Sequence, residues 1–136
     1  MRWRRRLGGG DRGTFALELV LIAPAVIGLL LLVITAGRVA LAASRVEAAA
    51  RDGARAASIN HAGRSGPAAQ VAVNASLSAN EVFCVGGPGI TGDYANAQPG
   101  GTVTVQVTCQ VNVLLGTSVT VKRTSASPVD IYRGTN

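Results

Sequence analysis

Residues 14–58 read TFALELVLIAPAVIGLLLLVITAGRVALAASRVEAAARDGARAAS, and this stretch decides the fold. From Leu19 to Gly37 it carries no charged residue. At 1.5 Å per residue, a helix over residues 14–37 spans roughly 30 Å, the hydrocarbon thickness of a bilayer. Pro24 lies inside it; the missing donor frees the carbonyl of Val20, so a kink or local loosening near 20–24 is expected. The helical pattern continues past the apolar run. Between Arg38 and Ser58 there is no proline, one glycine (Gly53) and much alanine. At about 100° per residue, Val39, Ala42, Val46, Ala49, Ala50, Gly53 and Ala57 share one face, with Arg38, Arg45, Arg51, Asp52 and Arg55 opposite. Glu47 and Arg51 have the favourable i,i+4 order. The spacing predicts one continuous helix from about Thr14 to about Ser58, roughly 65 Å long. The small side chains on its outer half suit close packing against another helix. They suit packing on the chain's own C-terminal part equally well, and both uses can hold along different stretches.

Glu18 is the only charge at the inner edge of the apolar run. A carboxylate costs about 2.5–3.5 kcal/mol at the bilayer centre and less near the edge, so the residue calls for a partner. The chain has 136 residues, enough for a membrane segment and one small soluble unit. Its formal net charge is +6. Arg2, Arg4, Arg5, Arg6 and Arg12 precede the apolar run and only Asp11 opposes them, which leaves that segment at +4 and the remainder at +2. A basic cluster touching an apolar run places the N-terminus in the cytoplasm and the C-terminal part outside it. The high pI is then mostly a topology signal, and no nucleic-acid partner is expected. Gly8, Gly9 and Gly10 break any helix and are no phosphate loop, because no Gly-Lys-Ser/Thr follows. The organisation read from these features is a basic leader (1–13), unstructured, then a transmembrane helix (14–37) in contact with membrane lipid. An extracytoplasmic extension of that helix (38–60) and a small α+β extracytoplasmic domain (61–136) follow.

Within that domain, Asn60 to Gly66 forms a polar break holding the lone His61, read as a solvated loop residue. Ser65-Gly66-Pro67 opens a short helix over Ala68 to Leu77, with Pro67 in its first turn. Glu81 to Val85 reads as a short strand. Residues 86–101, with six glycines and two prolines, read as a long loop. Thr102 to Val113 alternates valine or Cys109 with threonine, glutamine or asparagine, a strand with one buried and one wet face. After a turn at Gly116-Thr117, Val119 and Val121 begin an antiparallel partner, which Val129 and Ile131 resume after Pro128. Both cysteines, Cys84 and Cys109, follow the apolar run. Outside the cytoplasm such a pair usually forms a disulfide, the alternative being two buried free thiols. The bond would close a loop of about 25 residues, worth on the order of 3 kcal/mol to a marginal core.

Several chemistries are poorly served. Two cysteines and one histidine are too few for a structural zinc site. There is no Ser/His/Asp set and no carboxylate pair at useful spacing; Glu81, Asp93 and Asp130 are scattered. An enzyme, a cofactor, a metal and a small-molecule substrate are therefore not expected. Asn74-Ala75-Ser76 matches a glycosylation sequon, read as chance on a helix.

The basic leader, Arg12-Gly13, Phe15-Ala16-Leu17-Glu18, Pro24 and the run into Gly37-Arg38 resemble a class III prepilin signal. They look most like those of the TadE-like minor pseudopilins of tight-adherence (Tad/Flp) pilus systems. The alanine-rich helix from Val46 to Ala57 resembles that family too, so the likeness covers roughly residues 12–60. It implies a pilin-like fold, cleavage by a prepilin peptidase between Gly13 and Thr14, and assembly with other pilin-like subunits through the N-terminal helix. Glu18, fifth in the mature chain, would pair with the new amine of Thr14 on a neighbouring subunit. Many pilin-like chains have an aromatic residue soon after this glutamate, whereas here Leu19-Val20-Leu21 follow. The large C-terminal part also sets the chain apart from a major Flp pilin. Two other readings compete. A secretory signal cut at Ala40-Leu41-Ala42 would release a small domain near Ala43, although its apolar region exceeds the usual length and carries Glu18 upstream. A plain single-pass anchor needs no role for Gly13 and leaves Glu18 at the headgroups.

Overall fold

A computed structural model describes residues 11–60, 62–114 and 116–132, with side chains from Glu18 onward except that of Ala62. Most of the basic leader (1–10) and His61 lie outside the described residues. The chain divides into two compact units, Met1–Ala36 and Gly37–Asn136. Helix α1 runs over Asp11–Ile59 and contributes to both. It begins three residues before the expected start at Thr14, so Asp11, Arg12 and Gly13 are helical rather than part of an unstructured leader. In the first unit every side chain from Glu18 to Ile34 is exposed.

The second unit adds α2 (Ala62–Ala79), β1 (Gly89–Asp93), β2 (Thr102–Leu114) and β3 (Thr117–Pro128), an α+β arrangement. The strands form one antiparallel sheet in the order β1-β2-β3, with Ile90 opposite Val107 and Cys109 opposite Val121. Alternation along β2 buries Val103, Val105, Val107, Cys109, Val111 and Val113. Against this face pack Val46, Ala49, Ala50, Ala54 and Ala57 of α1 and Ala69, Val73 and Leu77 of α2. The charges of α1 lie outward as its periodicity predicts, and Glu47 pairs with Arg51. Polar ties fasten the layers. Ser76 donates to Asp52 (2.7 Å) across the helices, and Ser127 donates to Ser58 (3.1 Å), which donates to the Arg55 carbonyl (2.9 Å).

Four expectations need correction. The polar break at Asn60–Gly66 is far shorter, because α2 starts at Ala62 and Pro67 falls inside it. Gly66 precedes the proline and has no Cβ to clash with its ring, so the helix passes through. Buried Ser65 donates to the Asn60 carbonyl (3.3 Å) and ties this start to the end of α1. Glu81 to Val85 is not a strand. Leu77 accepts from the Val82 amide (2.9 Å) and Ser78 from the Glu81 amide (3.1 Å), with Glu81 at φ +53°. This is a Schellman helix ending, which spends those amides on α2. Residues 86–101 are not all loop, since Gly89–Asp93 pairs with β2 as an edge strand. Finally, β3 runs unbroken to Pro128 and does not resume at Val129 or Ile131. Val129 instead bonds the loop before β2, donating to Gly101 (2.9 Å) and accepting from Gly100 (3.1 Å).

The tightest point of the unit is Gly53. A Cβ there would stand 2.5 Å from Val73 Cγ2, 3.3 Å from Val105 Cγ1 and 3.4 Å from the Ala69 carbonyl. Alanine would gain about 1 kcal/mol of helix propensity, against about 1–3 kcal/mol for forcing a methyl into a packed core. We expect Gly53→Ala to lower the stability of the second unit and Gly53→Val to lower it further, with Val73→Ala recovering part of the loss. Denaturant melts of the purified chain in detergent check this, and a more stable Gly53→Ala would contradict the close approach.

Candidate functional site: the apolar helix and the disulfide loop

Three features converge on function: the exposed apolar length of α1, the acid at its start and the disulfide that closes the second unit. The first follows from composition. From Leu19 to Ile34 the side chains are aliphatic or small around the whole helix, a pattern that suits a buried or lipid-facing helix. The richest 18-residue window reaches a mean hydropathy of 2.9 with none of it buried, so α1 is long and apolar enough to cross a membrane. Its polar interruption at Thr35 is satisfied within the helix, since the hydroxyl donates to the Leu31 carbonyl at 2.6 Å.

Gly13, Thr14 and Pro24 all lie within α1. Glu18 is exposed, one turn beyond Thr14. It stands at the edge of a fully apolar surface.

Cys84 and Cys109 are joined, with Cα atoms 5.1 Å apart. Cys109 is fully buried on β2, and the Val85 amide donates to the Gln110 carbonyl at 2.8 Å alongside the bond. Together they hold the segment after α2 against the middle strand. Among the described residues, no group of three or more His, Cys, Asp or Glu side chains is arranged to hold a metal ion. Burial pushes the Tyr94 phenol up, and a Cβ at Gly92 would overlap its ring, so this tyrosine reads as packing.

Two residues gain a role that their sequence context hid. Arg38, assigned only to the polar face of the helix, donates to the Val113 carbonyl at 3.4 Å and links α1 to the end of β2. Phe83, expected within a strand, is instead 85% exposed. The first carried a signal, being the first charge after the apolar run.

The family model described as TadE-like protein matches residues 13–55. This segment is TadE-like. The match opens at Gly13, takes in Glu18 and the apolar run, and ends within the face of α1 that packs on the sheet. No curated protein and no solved structure matches the chain. The sheet and its disulfide lie outside the match.

The bond closes a loop spanning 25 positions, so its loss costs on the order of 3 kcal/mol by the chain-entropy account. Cys84→Ser with Cys109→Ser should therefore lower the denaturant midpoint of the second unit markedly while leaving the helical circular dichroism of the apolar segment in place. An unchanged midpoint would show that α1, α2 and β2 suffice without it.

Proposed function

We propose that this TadE-like chain is a minor pilin or pseudopilin subunit of a Tad-type pilus, anchored by α1 with its N-terminus cytoplasmic and its sheet extracytoplasmic. One observation carries the reading: the TadE-like match begins at Gly13 and takes in a fully exposed apolar stretch, residues 18–34, whose single acid is Glu18. The Arg-rich segment before it supports the inside position of the N-terminus. A prepilin peptidase would cut between Gly13 and Thr14, leaving a cationic amine in an environment of low dielectric. Pairing of that amine with Glu18 of an adjacent copy cancels two costly charges and fixes the axial stagger of neighbouring helices. The role is structural: α1 assembles and the sheet is displayed, in adhesion or secretion.

N-terminal sequencing of the mature protein tests this directly, with Thr14 as the expected first residue. A start at Ala43 would mean a cleaved secretory signal, and an intact leader would mean a plain anchor. Gly13→Leu should block processing. Glu18→Ala should be processed normally yet fall at least tenfold in filament incorporation, the loss of about 1.4 kcal/mol or more of pairing free energy.

A further inference from the structure

The second unit exposes an apolar and basic surface close to the exit of the apolar run. Arg38, Leu41, Arg45 and Phe83 line one groove of about 430 Å³, with Glu81 as its single acidic residue. Leu41 is 58% exposed and Val85, beside Phe83, is 48% exposed. Phe83 is not on a loose tip. The helix ending at Glu81 fixes it on one side, and the Cys84–Cys109 bond with the Val85–Gln110 hydrogen bond fixes it on the other.

The position of this groove along α1 decides what it meets. Arg38 is the first charge after the run that ends at Gly37. Leu41 and Arg45 follow at about 4.5 and 10 Å along the helix axis. The headgroup layer is roughly 5–8 Å deep on each side of the hydrocarbon. A helix that spans the hydrocarbon with residues 19–37 therefore sets Arg38 and Leu41 in that layer, and Arg45 reaches back to it by snorkelling. Phe83 lines the same groove as Arg38 and Leu41. Aromatic rings and arginines are the side chains that settle at this level, the ring against acyl chains and the guanidinium on phosphate. A second copy fits less well, because a two-fold contact through this surface would gather Arg38 and Arg45 of both copies in one interface against one glutamate from each.

We propose that this surface seats the C-terminal unit on the phospholipid headgroups of the membrane that α1 crosses, with Phe83 as the inserted anchor and Arg38 and Arg45 as phosphate ligands. It rests on the membrane-anchored reading above. The sheet then stands next to the bilayer until extraction of the helix lifts it away.

The test uses the full chain, one copy per nanodisc, in a Trp3→Phe background with anionic lipid. The indole of Phe83→Trp should emit at shorter wavelength than in the denatured chain. Lipids brominated near the headgroup should quench it, and aqueous iodide should not. Arg45→Gln, an exposed site, should lower the docked-to-free ratio about fivefold. Leu30→Trp serves as the control for anchoring. Quenching of the Leu30→Trp indole by lipids brominated at mid-chain, together with an iodide-accessible Phe83→Trp indole, would overturn docking while leaving the anchor intact. An unquenched Leu30→Trp would overturn both. Shielding of Phe83→Trp that appears only when several copies share a disc would overturn lipid docking in favour of contact between chains.

Discussion

The contact between the alanine face of α1 and the valine face of β2 is the constraint on which the C-terminal unit depends. Alanine buries little area, so Ala49, Ala50, Ala54 and Ala57 contribute modestly themselves. What they provide is proximity. With Gly53 among them, the backbone of α1 comes close enough for Val73 and Val105 to fill the space from either side. Each fully buried valine is then worth about 1.5–3 kcal/mol, and β2 supplies most of them. A core built this way has no large side chain to spare, and the cross-link at Cys109 ties the middle strand to the segment after α2.

This arrangement resolves how one helix serves two environments. Small residues at helical spacing are compatible with contact between copies or with contact inside the chain. From Val46 to Ala57 the stripe is buried against the chain's own sheet and α2, so it is already occupied. From Glu18 to Ile34 the helix is exposed all round. Burial in the hydrocarbon of a bilayer or against another α1 is therefore open to the N-terminal stretch, and the boundary falls where Arg38 first brings charge.

The legible parts of the sequence were those in which a local pattern and the tertiary environment agree. The periodicity of residues 38–58 named the buried face of α1, and the strict alternation of residues 102–113 named β2 together with the burial of Cys109. The illegible parts were set by distant partners. Gly-Ile-Thr-Gly-Asp at 89–93 has poor strand propensity and becomes a strand because the edge of β2 supplies its hydrogen bonds. Val-Phe-Cys-Val at 82–85 has good propensity and even alternates, Val82 and Cys84 half-buried and Phe83 and Val85 outward. It forms no ladder because the end of α2 claims its first amides. The polar run Lys122–Ser127 looked like an interruption, yet an edge strand with a wet face tolerates it, and Ser127 finds Ser58. At the candidate site, Glu18 stood out at once as a charge where none is cheap. Phe83 did not, because nothing local says that a phenylalanine between a valine and a cysteine faces outward.

The same magnitudes bear on why Glu18 sits where it does. In the intact chain α1 is already helical at Asp11, so Glu18 lies two turns or more inside the helix, beyond the first turn where the dipole acts. Trimming after Gly13 would move the helix start to Thr14 and bring Glu18 to the end of that first turn. The dipole contributes only about 0.3–1 kcal/mol there, whereas a carboxylate in hydrocarbon costs up to about 2.5–3.5 kcal/mol. The shortfall requires a formal positive charge, and the apolar run from Leu19 to Gly37 has none. Under the proposed trimming, which removes Arg12, the cationic chain end left at Thr14 is the nearest source. Because Thr14 and Glu18 are one turn apart on the same face, the amine of a neighbour displaced by about one helical turn would reach the same acid, which makes the axial offset between copies a consequence of this spacing.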